Sequence, residues 1–197
     1  MGKRGPYAKG RVRREEILQR GLEVIAEDGY DAASVTRIAQ AAGLSKTGLL
    51  HYFGSKEKLL TEILRKRDEV DDPQLDERRA SLTELEAAYM RVVSRNAGIP
   101  GMVELFSRLS VEAVDPEHPA HEFFVRRDHE LGSRIARSIA RTEKSESSGQ
   151  RADLMALILL AATDGLQLRW LRDPDIDMTA ALRALFELFD AVSGDTP

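Results

Sequence analysis

The amino-acid sequence predicts an all-α protein of about nine helices, arranged as a small N-terminal helical module and a larger helical one. Three observations carry this expectation. Apolar residues recur at helical spacing in nearly every segment, Gly, Pro and Ser punctuate those segments at the distances of short helices, and no segment alternates as a half-buried strand would.

Length and composition agree. A chain of 197 residues suits one small module joined to one mid-sized module. With 42% hydrophobic and 31% charged residues it is neither a disordered chain nor a miniprotein in need of staples. The lack of cysteine excludes a disulfide framework, a thiolate zinc site and a cysteine nucleophile, and is compatible with a reducing cytoplasm. The basic start, MGKRGPYAKGRVRREE, has no apolar stretch after it of the kind a signal peptide needs, so export is not expected; the expected location is the cytoplasm, at the nucleoid. The longest apolar run, Leu154 to Thr163, is far short of the roughly 18–20 residues of a membrane span and reads as a buried helix.

The net charge of −4 hides an asymmetry. Residues 1–67 carry 14 Lys/Arg against 8 Asp/Glu, whereas residues 68–197 carry 15 against 25. A basic first third attracts polyanions and an acidic remainder repels them, so any nucleic acid is expected on the first third alone.

The elements follow in order. Arg13 to Asp28 places Ile17, Leu18, Gly21, Leu22 and Ile25 on one face, and Gly29 reads as a left-handed stop with Tyr30 folded back as its apolar companion. Ser34 is an N-cap for a short second helix whose stripe is Val35, Ile38, Ala39 and Ala42, ended by Gly43. Ser45 caps a third, in which Leu49, Leu50 and Phe53 point inward while Lys46, Thr47, His51 and Tyr52 face out. Gly54 turns the chain to Ser55 and a fourth helix that runs to about Asp71. Further helices are expected near 83–96, 101–114, 120–144, 150–171 and 178–193.

The layout at 34–53, a short helix, a tight turn and a second short helix, sets one helix across the DNA backbone and the next in the major groove. Ala39 lies where the two helices would approach most closely, and Gly43 permits the sharp turn. Ile17-Leu18, Gly29-Tyr30, Ser34-Val35, Ile38-Ala39, Ala42-Gly43-Leu44-Ser45, His51-Tyr52-Phe53 and Ser55-Lys56-Glu57-x-Leu59-Leu60 closely resemble the signature of the TetR family of transcription regulators. The resemblance covers about residues 11–71 and departs at Thr47-Gly48 and Leu50, where many members read Gly-Thr and Tyr; the family's tyrosine contact to phosphate does not carry to position 50. It implies a basic flexible tail at 1–10, a helix-turn-helix DNA-binding domain at 11–71 and a ligand-sensing and dimerisation domain at 72–197.

From the resemblance and from expected exposure, Ser45, Lys46 and Thr47 are assigned to base edges, because a recognition helix presents its N-terminal residues there. Ser34, Arg37, His51, Tyr52 and Lys56 are assigned to phosphates, Lys56 together with the free amides of its helix N-terminus. Lys3, Arg4, Lys9, Arg11, Arg13 and Arg14 form a stretch without acids that suits the DNA backbone or an adjacent minor groove, and serves equally as a solubilising tail.

In the larger module, the resemblance implies a ligand chamber and a dimer made by the last two helices. Tyr89, Met90, Met102, Phe106, Phe123, Phe124 and Met155 are the candidate chamber residues, with core packing as the alternative for each. Leu154, Leu157, Ile158, Ala161, Ala162, Leu166 and Trp170, with Leu182, Leu185, Phe186, Phe189 and Val192, are the candidate interface, some of which must also serve the module's own core. His118, His121 and His129 lie near acids, but Pro119 spoils a helical pair and no metal is expected. No cofactor is expected either, and no carboxylate pair, nucleophile triad or phosphate loop suggests an enzyme. The expected function is a homodimeric repressor that binds a pseudo-palindromic DNA operator and is released by a small-molecule effector, with the fourth helix as lever and no membrane partner. The alternative is a DNA-binding adaptor whose C-terminal module recruits a protein.

Overall fold

The computed structural model describes residues 6–71, 82–141 and 148–194, and among them the chain forms nine α-helices and no strand. They are α1 (Pro6–Asp28), α2 (Val35–Ala41), α3 (Lys46–Phe53), α4 (Lys56–Asp71), α5 (Leu82–Ala97), α6 (Pro100–Glu112), α7 (His121–Ala140), α8 (Ser148–Trp170) and α9 (Met178–Gly194). The first helix starts earlier than its apolar pattern suggests, so residues 6–10, expected in a flexible tail, are helical. Pro6 suits this start because its fixed φ and missing N–H fit a first helical position.

The turn chemistry is local and explicit. Gly29 has φ +78° and its amide donates to the Ile25 carbonyl at 3.1 Å, a left-handed stop for α1. Gly43, at φ +65°, ends α2 in a Schellman motif: Leu44 N–H donates to the Ala39 carbonyl at 2.8 Å and Gly43 N–H to that of Gln40 at 3.0 Å. Ser34, Ser45 and Ser55 each accept an amide three residues on, from Arg37 (3.2 Å), Gly48 (3.0 Å) and Lys58 (3.1 Å), and so cap α2, α3 and α4.

The chain divides into two compact units. The first holds α1–α4, α6 and the start of α7 to Phe123; the second holds α5, the rest of α7, α8 and α9. The units do not follow chain order, since α6 belongs with the N-terminal helices. A close approach explains why. A Cβ on Gly101 would lie 2.6 Å from the Ile25 carbonyl oxygen and 2.9 Å from the Gly29 Cα, so only glycine lets the start of α6 rest on the end of α1. Arg108 of α6 adds to this seam, its guanidinium 4.8 Å from the centre of the Tyr30 ring and 3.3 Å from Asp31. Tyr30 thus finds its cover on α6.

In the first unit α1 packs on α2, α4 and α6, around fully buried Ile17, Ile25, Ile38, Leu49, Ile63 and Leu105. In the second, α9 packs on both α8 and α5, with Leu159, Leu182 and Phe186 buried.

Replacing Gly101 by Ala should lower unfolding stability by about 1–3 kcal/mol, since backbone and not a flexible side chain must give way. Gly10→Ala, in open space within α1, should leave stability unchanged or slightly raised. Urea denaturation of the two variants checks both; equal midpoints would show that the seam yields freely.

Candidate nucleic-acid interface

The helix pair α2–α3 is held from beneath by apolar contacts and presents a polar face above. Ile38, Ala39, Leu49 and Phe53 are buried, Ala39 to 1% exposure, which is the close helix–helix approach that a small residue permits. Ser45, Lys46 and Thr47 are exposed on and before the first turn of α3, together with Ser34, Arg37, His51 and Lys56; Tyr52 is half-buried. All eight residues expected to meet DNA therefore have accessible surface in the first unit.

Several already have partners that limit what they can do. The hydroxyls of Ser34 and Ser45 each accept a capping amide and keep the O–H for a phosphate, or the O–H and a second lone pair for a base. Arg37 is paired with Asp28 at 2.7 Å, tying α2 to the end of α1, and offers a phosphate only its remaining donors. Leu50 is half-buried beside these polar neighbours. Thr36 and Gln40, exposed on α2 and unassigned by the sequence reading, complete its outer face.

One expectation needs correction. The amides at the start of α4 are not free as a group: Ser55 takes the Lys58 amide, and the Glu57 carboxyl is held below the ordinary range by its own amide and then by the Ser55 hydroxyl. An anion there meets Lys56 beside an existing carboxylate. Arg13 and Arg14, for which the sequence left DNA contact and a solubilising role both open, have partners within the chain. Arg13 donates to the Ala42 carbonyl and lies 2.8 Å from Glu16, and Arg14 donates to the Tyr52 carbonyl with its guanidinium 4.5 Å from the centre of the Phe53 ring. Lys9 and Arg11 are exposed, and Lys3 and Arg4 lie outside the described residues.

Residues 17–63 of this helical unit match the profile of the bacterial regulatory proteins, tetR family. This segment, residues 17–63, is of the TetR type. Among curated TetR-like relatives, it is 32% identical over 108 residues to the HTH-type transcriptional repressor KstR2 of Rhodococcus jostii, covering 55% of this chain and 46% of that protein. It is 26% identical over 168 residues to the HTH-type transcriptional regulator BetI of Vibrio vulnificus, covering 84% of each. The match to KstR2 thus spans about half of that repressor's length. The fold is shared with a transcriptional regulator from Rhodococcus sp. Rha1 (TM-score 0.72, 20% identity, 93% of this chain and 99% of that one). It is also shared with FadR of Bacillus subtilis in complex with stearoyl-CoA (TM-score 0.63, 21% identity, 89% and 96%).

The expected sensor residues divide between the units. Met102, Phe106 and Phe123 belong to the first, and Tyr89, Met90, Phe124 and Met155 to the second; all but Tyr89 are buried. Tyr89 reaches Thr163 on α8, oxygen to oxygen 2.8 Å, and Thr163 donates onward to the Leu159 carbonyl, so the phenol is the donor in the pair. Burial pushes that phenol up to about 12 and keeps it protonated. Phe186 meets the Tyr89 ring edge-on, with centroids 6.1 Å apart. The histidines serve local structure: His118 Nδ1 accepts the Ala120 amide, and His121 Nδ1 bonds to the Ala113 carbonyl.

The expected dimer residues separate by helix face. Leu154, Leu157, Ile158 and Ala161 are exposed, an unpartnered stripe on α8 that continues to Leu168 at 43% exposure. Leu166 and Leu185 are half-buried. Trp170, Leu182, Phe186 and Phe189 are instead buried within the chain, as the large rings of α9 fill the space against α5 and α8. The exposed surface of α9 includes Ala181, Ala184, Leu188 and Ala191 at helical spacing, beside the charged Arg183, Glu187 and Asp190. The Val192 side chain lies outside the described residues.

Ser45→Ala should weaken α3 by about 1 kcal/mol through the lost cap, seen as a lower unfolding midpoint. An unchanged midpoint would remove the cap's structural role. On α8, desolvation by the surrounding protein pushes the Asp164 carboxyl up to about 6, although the residue keeps solvent-exposed surface, opposed by Arg127 and aided by Asp128. Its folded pKa exceeds the unfolded value near 4, so the native state binds the extra proton and stability should fall as pH rises from about 4 to 6. Asp164→Asn should flatten that part of the stability–pH curve; a curve of the same slope in both proteins would refute the assignment.

Proposed function

We propose that this chain is a homodimeric transcription repressor that grips a pseudo-palindromic DNA operator through α3 and releases it when a small-molecule effector binds the C-terminal helices. The observation that carries this reading is the first turn of α3. Ser45 caps it, Lys46 and Thr47 project from it into solvent, and the apolar residues behind it are buried in the first unit. Such a helix start offers side chains to base edges at little cost in order, because the cap and the core already hold it.

Two recognition helices can enter successive major grooves only when held about 34–36 Å apart. The exposed stripe of α8, Leu154, Leu157, Ile158, Ala161 and Leu168, with Ala181, Ala184, Leu188 and Ala191 of α9, supports a second copy as the partner that sets this distance. An effector that favours another separation lowers operator affinity by its differential binding, with a coupling of about 1–3 kcal/mol sufficient for a useful switch. The similarity in fold to FadR, which binds stearoyl-CoA, supports a helical C-terminal module as the effector's seat.

Selection of random duplex DNA by the purified protein, followed by footprinting, tests operator binding and half-site spacing together; absence of any enriched duplex at low salt would overturn the reading. Lys46→Ala and Thr47→Ala should each weaken binding to the selected duplex with little change in melting temperature, and equal affinity in both would remove α3 as the recognition element. Leu157→Glu should yield a folded monomer in analytical ultracentrifugation with operator affinity reduced, whereas Phe186→Glu should unfold the second unit; a dimeric Leu157→Glu protein would exclude the α8 stripe as the interface.

A further inference from the structure

Two adjacent arginines of α1 each close the C-terminal end of one helix of the DNA-binding pair. Arg13 donates to the Ala42 carbonyl at the end of α2, and Arg14 donates to the Tyr52 carbonyl in the last turn of α3. Neighbouring side chains leave a helix about 100° apart, so consecutive residues can serve two different partners. Both carbonyls belong to helix ends, where no amide of the following turn arrives. The Gly43 and Leu44 amides go to Gln40 and Ala39, and the Gly54 amide goes to Leu50. A cation at a helix C-terminus also meets the negative end of its dipole.

Arg14 does more than cap. Its guanidinium lies over the buried Phe53 ring, 4.5 Å from the ring centre, and 3.8 Å from Glu62 of α4, so one planar group touches the end of α3 and the helix that follows. Arg13 is held at 2.8 Å by Glu16, one turn along α1.

We propose that Arg13 and Arg14 are positioning residues for DNA recognition, which set the pitch of α2 and α3 from beneath and do not bind phosphate. The proposal rests on the operator-binding reading above. A recognition helix that loses its anchor at the C-terminal end tilts, and Lys46 and Thr47 at its other end swing away from base edges. Backbone contacts are less demanding in direction, so the loss falls on specific binding and spares non-specific binding.

The test compares Arg13→Gln, Arg14→Gln and the two Lys variants with the unsubstituted full-length protein, on the selected operator and on a scrambled duplex, over a range of salt. Binding is read below each variant's melting temperature. The Lys variants keep charge and stem, so they remain folded and carry the test if a Gln variant melts early. The expected result is an operator affinity lowered about ten-fold in Gln and Lys variants alike, because an ammonium can neither fork nor stack as a guanidinium does. Scrambled-duplex affinity and the slope of log affinity against log salt should stay as in the unsubstituted protein. Restoration by Lys, undiminished operator affinity in a folded Gln variant, or a salt slope smaller by about 0.9 per arginine with parallel loss on both duplexes would overturn the positioning role. Failure of the unsubstituted protein to select any duplex would instead remove the operator-binding reading itself.

Discussion

The first unit depends on how α1 divides its surface. One face carries Ile17, Leu18, Gly21 and Ile25 into the core, where a Cβ on Gly21 would lie 2.5 Å from Ile63 of α4. The start of the helix sends Arg13 and Arg14 to the ends of α2 and α3, and its far end, at Ile25 and Gly29, receives α6. Ion pairing between Glu15 and Lys66 at 2.8 Å adds a solvent-exposed tie to α4, of modest worth. Helix α3 has little internal strength at its length, since short isolated helices are marginal in water. Its order is therefore borrowed from α1 and from the caps at Ser45 and Gly54.

The same division places α6, which is packed with α1 and α4 in the first unit and not with the helix α5 that precedes it. The α1–α6 seam, with Gly101 on Gly29 and Arg108 over Tyr30, holds it there. In the second unit the corresponding economy is on α9. Its large residues, Leu182, Phe186 and Phe189, consolidate the chain's own interior, which leaves Ala181, Ala184 and Leu188 outward, a surface that a partner helix can approach closely.

Much of the site was legible because it is written in local chemistry. Ser before a short apolar stripe, glycine after it, and polar residues on the first turn are requirements of helix ends, and they located α2, α3 and α4 to within a residue or so. The inward role of Arg13 and Arg14 was not legible, since a run of basic residues looks the same whether its partners are phosphates or the carbonyls of a neighbouring helix 29 or 38 positions away. The faces of α9 were half legible: the period was evident, but hydrophobicity alone does not say that Leu182, Phe186 and Phe189 are used in the chain's own packing.

The sequence by itself determined the helical class, the positions of the helix ends and the polar face of the helix-turn-helix, because each follows from interactions within a few residues. Only the tertiary structure decided that α6 joins the DNA-binding helices, that two α1 arginines cap their ends, and which side of α9 stays open. Those outcomes depend on which distant surfaces meet, and a carbonyl without an amide or a glycine without a side chain acquires its meaning only when another helix arrives against it.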